Sequence, residues 1–123
     1  MSLPSRIAVV DDDPSVRKAL GRLCKSVGYS VSLYDSSESF LEANVAGKTD
    51  CLILDVHLPG KSGLDLQTQL ASSEKCCPIV FITAYDDEGA RRKALKCGAV
   101  NFLRKPLDTE RLLEVIEQVL SEL

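Results

Sequence analysis

Five short apolar runs punctuate the chain, at Arg6–Val10, Ser30–Tyr34, Cys51–Leu54, Ile79–Thr83 and Val100–Leu103. Between and after them lie amphipathic stretches, Pro14–Val27, Ser37–Ala46, Gly63–Ala71, Glu88–Cys97 and Thr109–Leu123. In the first of these, Val16, Ala19, Leu20, Leu23, Cys24 and Val27 form one stripe. In the last, Leu112, Leu113, Ile116, Val119, Leu120 and Leu123 do the same. Spacings of three and four gather side chains on one face of a helix, whereas a short unbroken apolar run fits a buried strand. Regular alternation of the two predicts βαβ units and a parallel sheet covered by helices.

The punctuation supports these boundaries. Asp13-Pro14 reads as an N-cap followed by proline at the first helical position. Gly28, Gly47 and Gly98 fall just past helical patterns, where a left-handed cap favours glycine. The runs Ile7–Val10, Leu52–Leu54 and Ile79–Ile82 are continuously apolar, as strands covered on both faces should be. Val31–Tyr34 and Val100–Leu103 carry polar interruptions and belong at the edges. Strands one, three and four in the middle, with two and five outside, predict a single α/β domain over residues 1–123. The sheet is five-stranded, parallel and doubly wound, (βα)5 in the flavodoxin-like order 2-1-3-4-5. In such sheets ligands bind beyond the carboxyl ends of the strands, where the order reverses between strands one and three.

Composition narrows the function. The chain has 123 residues, 45% of them hydrophobic and 27% charged, enough for an ordinary core. A net charge of −3 argues against direct nucleic-acid binding or attachment to an anionic membrane. No apolar run approaches the roughly eighteen residues that a span requires. No secretory signal is visible, and Met1-Ser2-Leu3 is compatible with a cloning remnant. The five cysteines, Cys24, Cys51, Cys76, Cys77 and Cys97, include no Cys-x-x-Cys pair. They are expected to act as small apolar side chains in a reducing cytoplasm.

Chemistry concentrates at the strand ends. Asp11, Asp12 and Asp13 follow the first strand, and Asp55 follows the third. Acids gathered in one place repel one another unless a cation holds them. Magnesium takes hard oxygen ligands, including one or two carboxylates. Phosphoryl transfer depends on positioning and on neutralising charge. Asp12 and Asp55 can supply carboxylates with Asp11 close by, and a backbone carbonyl just past Asp55 can reach the same ion. Lys105 can pair with Asp55 or with phosphoryl oxygens, and Thr83 offers a hydroxyl at the same rim. Asp13 is better read as a helix cap. Asp86-Asp87-Glu88 reads as an acidic helix start, and Arg91, Arg92, Lys93 and Lys96 as a solvated helix face. His57, the sole histidine, lacks partners for a hydrolase triad.

Four blocks together resemble the response-regulator receiver domain of two-component signalling. They are Ile7–Asp13, Leu54–Gly63, Ile82–Tyr85 and Gly98–Pro106, and the likeness covers almost the whole chain. The resemblance implies that Asp55 is the phosphoacceptor, taking its group from a phosphohistidine of a sensor histidine kinase. It implies that Asp11, Asp12, Asp55 and the His57 backbone carbonyl hold Mg²⁺ (or Mn²⁺). Thr83 and Lys105 then contact phosphoryl oxygens, and Phe102 is the aromatic switch that turns inward as Thr83 moves. His57 and Tyr85 tune loss of the phosphoryl group, and the Lys105-Pro106 bond is cis. Leu107 stands where the family often has phenylalanine, and Phe102 lacks a tyrosine's hydroxyl.

The expected output is a dimer or effector surface on the fourth helix, fifth strand and fifth helix. The expected partners are the kinase, a second copy of the chain on phosphorylation, and a C-terminal output domain of DNA-binding type, if this is the N-terminal part of a longer regulator. Two other readings compete. A haloacid-dehalogenase-type phosphatase needs Asp-x-Asp, but His57 occupies the second position. A pseudo-receiver binding partners without phosphorylation fits poorly with an intact set of Asp11, Asp12, Asp55, Thr83 and Lys105.

Overall fold

The computed structural model describes residues 3–122. Met1, Ser2 and the last position of the fifth helical stripe, Leu123, lie outside the described residues. Strands β1 (Arg6–Val10), β2 (Ser30–Tyr34), β3 (Cys51–Asp55), β4 (Ile79–Thr83) and β5 (Asn101–Arg104) alternate with helices α1 (Pro14–Ser26), α2 (Ser37–Ala43), α3 (Gly63–Ala71), α4 (Glu88–Lys96) and α5 (Thr109–Ser121). All strand pairs are parallel, in the order β2-β1-β3-β4-β5.

The period-two alternation of the strands divides the core in two. Ala8, Val10, Leu52, Leu54, Ile79 and Phe81 face one side, where they meet Phe40 of α2, Leu66 and Leu70 of α3, and Ala90 and Ala94 of α4. Ile7, Val9, Cys51, Ile53, Val80 and Ile82 face the other, against Leu20 and Cys24 of α1 and Leu112, Val115 and Ile116 of α5. β1, β3 and β4 are almost wholly buried, while β2 and β5 are half-exposed, as expected for edges. Each fully buried Leu or Ile contributes roughly 1.5–3 kcal/mol relative to exposure.

Several local expectations need correction. α2 stops at Ala43, not Ala46, because Asn44 takes the left-handed cap at φ 54°. Asparagine tolerates that conformation through its short polar side chain. Gly47 instead lies in a 3-10 turn, Ala46–Lys48. Gly28 and Gly98 do hold positive φ. Along α1, Ala19 and Val27 are exposed rather than part of the buried stripe. Cys24 and Cys51 are buried thiols, but Cys76 and Cys97 are exposed and Cys77 is half-buried. Cys97 therefore contributes no core contact to α4, whose buried side chains are two alanines.

A Cβ at Gly63, the first residue of α3, would overlap the backbone carbonyl of Asp55. Backbone cannot yield as a flexible side chain can, so Gly63→Ala is expected to cost about 1–3 kcal/mol. Gly89→Ala, which meets only the Asp87 carboxylate at ordinary contact distance, should not destabilise. Urea denaturation of both variants checks the contrast.

Candidate functional site

β1 and β3 are neighbours, with Val10 paired to Leu54, so their following acids emerge side by side. Asp11, Asp12 and Asp55 place carboxylate oxygens within 4.8 Å of one another. Asp11 is fully buried and Asp55 almost so, whereas Asp12 is exposed. The Lys105 ammonium lies 2.8 Å from Asp11 Oδ2 and donates to Asp55 Oδ2 at 3.3 Å.

Backbone geometry fixes each group. The Asp13 amide donates to Asp11 Oδ1 at 2.9 Å, and the His57 amide to Asp55 Oδ1 at 3.2 Å. Asp13 itself caps α1, accepting from the Ser15 amide, as its sequence context suggested. The Lys105 amide donates to the Thr83 carbonyl at 2.7 Å, which extends the β4–β5 ladder one step and sets the lysine at the rim. Lys105-Pro106 is cis, as the resemblance implied.

The remaining sequence-selected residues surround this cluster. Thr83 is buried at the end of β4, and its Oγ1 accepts from the Tyr85 amide at 3.1 Å. A threonine hydroxyl that accepts there still has its own proton to donate. The His57 and Tyr85 rings meet edge to face, centroids 4.7 Å apart, and border an open cleft with Asp86, Asp87 and Glu88. Phe102 stands apart from the acids, half-buried on β5 and 6.1 Å from the Phe81 ring.

Sequence reasoning missed three supports. Arg17 Nη1 donates to the Asp11 backbone carbonyl at 2.7 Å. Glu38 of α2 accepts from the Lys61 amide at 3.1 Å and so ties the loop after Asp55 to a neighbouring helix. That bond holds the exposed Glu38 carboxyl below its ordinary range. Gln67 of α3 is buried and donates through Nε2 to the Ala94 carbonyl of α4 at 2.9 Å. The signal for Arg17 was its place one turn into the helix after the acids. Nothing local marked Glu38 or Gln67.

Burial pushes the Asp55 carboxyl above its ordinary value and the Asp11 charge pushes it further, with Lys105 and the His57 amide offsetting part of this. Burial pulls the Lys105 ammonium down, but its bonds and charge attraction to Asp11 and Asp55 prevail, and the net shift is upward. Apart from Lys105, Asp11 Oδ2 has no partner among the described residues. Hard carboxylate oxygens, one buried with spare acceptor capacity and one exposed, are the donor set that a small divalent cation takes. The residues present fit Mg²⁺.

A sequence model of the response regulator receiver domain matches residues 7–117. Nodulation protein W of Bradyrhizobium diazoefficiens is 44% identical over 110 residues, 89% of this chain and 48% of that protein. The transcriptional regulatory protein FixJ of the same species is 34% identical over 122 residues, 99% of this chain and 60% of that protein. The crystal structure of a response regulator receiver protein from Burkholderia phymatum superimposes with a TM-score of 0.82 at 41% identity, covering 95% of both chains. The chain thus spans about half the length of the curated relatives it matches. It belongs to the response regulator receiver domains of two-component signal transduction, and its fold is theirs.

The raised Asp55 value has a defined consequence for stability. A carboxyl whose folded pKa exceeds its unfolded one destabilises the fold once ionised, so stability falls as pH rises from the ordinary carboxylate range to the raised folded value. Asp55→Asn, measured without divalent ions, should melt a few degrees above wild type at pH 7, with the difference shrinking by pH 4. Thermal melts at the two pH values decide this, and equal melting at pH 7 would oppose it. Magnesium in hundredfold excess over its dissociation constant should stabilise wild type by about 2.7 kcal/mol, and Asp12→Asn by less.

Proposed function

We propose that Asp55 accepts a phosphoryl group from a phosphohistidine of a sensor histidine kinase, and that the chain serves as a switch rather than as a turnover enzyme. One observation carries the reading. A buried carboxylate with a raised pKa stands beside two further acids and a single ammonium, at the carboxyl edge where the strand order reverses. An Asp55 carboxylate oxygen attacks phosphorus as the bond from phosphorus to the imidazole nitrogen breaks. The imidazole leaves with the bonding pair and regains its proton balance from solvent.

Asp11, Asp12, Asp55 and the His57 backbone carbonyl would hold Mg²⁺ (or Mn²⁺). When bound, the ion offsets the negative charge of acids and phosphoryl oxygens that otherwise repel. Lys105 moves from pairing with Asp55 to pairing with a phosphoryl oxygen, and keeps Asp11 as its second partner. The Thr83 hydroxyl, free to donate, bonds another oxygen. His57 and Tyr85 stand over the cleft and restrict the water that would hydrolyse the acyl phosphate.

The switch runs from Thr83 to Phe102. Thr83 shifts toward the new oxygen, the space it vacates admits Phe102, and the α4–β5–α5 face changes. Phosphorylation can bias the two states only by its differential interaction with them. The face then serves a homodimer, or an output domain carried elsewhere in the whole protein. Relatives named as transcriptional regulators support a DNA-binding output. The domain itself, at net charge −3, is unsuited to nucleic acid. No helix among the described residues is long and apolar enough to cross a membrane, and the proposed compartment is the cytoplasm, where sensor kinases present their phosphohistidine.

Acetyl phosphate with Mg²⁺ should label wild type in an acid-stable, base-labile form and leave Asp55→Asn unlabelled; label retained on Asp55→Asn would sink the assignment. His57→Ala and Tyr85→Ala should each speed loss of the label on the order of fivefold, the kinetic equivalent of about 1 kcal/mol. Beryllofluoride with Mg²⁺ should raise the sedimentation mass or the affinity for output partners in wild type, and lose that effect in Thr83→Ala.

A further inference from the structure

Three of the five thiols converge far from the acidic site. Cys76 and Cys77, in the loop before β4, line a cleft of about 180 Å³ together with Cys97, Gly98, Gln67 and Ile79. Cys97 caps the carboxyl end of α4, its amide donating to the Lys93 carbonyl at 3.0 Å. One backbone bond holds the segments beside each other, and a second closes the end of α4. The Val100 amide donates to the Ile79 carbonyl at 2.8 Å, one step behind the Val80–Asn101 pairing. The Ala99 amide closes back onto the Ala94 carbonyl at 3.0 Å, which is the same carbonyl that Gln67 holds.

The thiols differ in exposure. Cys76 and Cys97 are exposed. Cys77 is half-buried, and burial followed by the charge of Cys76 pushes its thiol up to about 12. Cys24 and Cys51 are buried in the core and raised to about 11 and about 12 by that burial. Attack on a disulfide needs access, which exposed Cys97 and Cys76 have and the buried core pair lacks.

We propose that Cys97 and the adjacent pair Cys76-Cys77 form a redox site, which closes as an intramolecular disulfide and staples the carboxyl end of α4 to the loop between α3 and β4. The oxidant is a low-molecular-weight disulfide, RSSR. Cys97, having given its proton to solvent, attacks one sulfur of RSSR; that S–S bond breaks, and RS⁻ leaves and is protonated. A thiolate of the Cys76-Cys77 pair then attacks the Cys97 sulfur of the mixed disulfide and releases the second RS⁻. Two protein thiols are oxidised and RSSR is reduced to two RSH. Closure joins residues about twenty positions apart, so it restrains α4 where its apolar packing is two alanine methyls. Disulfides of this exposed kind are the reversible, regulatory sort.

Incubation of the full chain with oxidised glutathione, followed by intact mass and peptide mapping without reduction, tests this. The expected result is a monomer lighter by about 2 Da, with the Cys97 peptide joined to the peptide holding Cys76 and Cys77, reversed by dithiothreitol and absent in Cys97→Ser. A Cys76–Cys77 bond alone, glutathione adducts that never close, or disulfide-linked dimers would overturn the site. Hydrogen exchange gives the second readout: amides of α4 should exchange roughly tenfold more slowly in the closed form, and unchanged exchange would overturn the restraint. A third arm rests on the proposed function. Closure should shrink the change in α4 exchange that beryllofluoride produces in the reduced chain. An undiminished change would overturn the restraint, whereas no change in the reduced chain would count against the phosphoryl switch and leave the mapped disulfide standing.

Discussion

One ammonium group holds together the most costly feature of this fold. Asp11 and Asp55 are removed from water and face each other, an arrangement that neither would tolerate ionised and alone. Lys105 reaches both, at 2.8 and 3.3 Å. Burial and the Asp11 charge together push the Asp55 carboxyl up, and Lys105 offsets only part of this. The site is therefore left with unsatisfied demand for positive charge. Such a shortfall is one that a divalent cation beside Asp11, Asp12 and Asp55 would offset.

The topology exists, in effect, to deliver that lysine. Lys105 follows β5, and β4 lies between β5 and β3. Two strand spacings are roughly 9–10 Å, a gap that the extended Lys105 side chain and the Asp55 carboxylate bridge together. β4 ends in Thr83 followed by Ala84, both small side chains. The bond from the Lys105 amide to the Thr83 carbonyl fixes the starting point of that reach. Thr83 thus ends the strand that lies between the one ending in Asp55 and the one that carries Phe102.

Much of this was legible in the sequence because it is carried by strong, local patterns. Continuous apolar runs marked β1, β3 and β4 as central, and centrality placed Asp11, Asp12 and Asp55 at one edge before any resemblance was invoked. Lys105 and Thr83 followed from the same logic of strand ends. What escaped was whatever depends on a contact between elements. Gly47 looked like the cap of α2, but Asn44 reached the left-handed region first and the glycine was absorbed in a 3-10 turn. Cys97 was expected to act as a small apolar side chain, but the chain turns at Gly98 and leaves it in solvent. Glu38 and Gln67 bond to backbone amide and carbonyl groups of other segments, and no residue pattern announces a backbone partner.

The misreading of Cys97 bears on how α4 behaves. Were that thiol buried, α4 would be packed along its length; in its absence only Ala90 and Ala94 are sequestered beneath it, while α5 buries Leu112, Val115, Ile116 and Val119. Methyl groups contribute far less apolar area than branched side chains, so α4 is the weakly held helix. Its two ends are unequal. The carboxyl end is tied by Gln67 to α3 and is closed by the Ala99 amide on the Ala94 carbonyl. The amino end is held by the Asp87 cap, by an exposed pair between Asp86 and Arg104 at 3.6 Å, and by the Thr83–Tyr85 turn. Exposed ion pairs of that kind stabilise little. Displacement of α4 should therefore be greatest at its amino end, which leads directly from Thr83, and smallest at the carboxyl end where the thiols gather. A restraint added at the thiols would tighten the pivot rather than block the moving end, and so would narrow the range of α4 without removing its response.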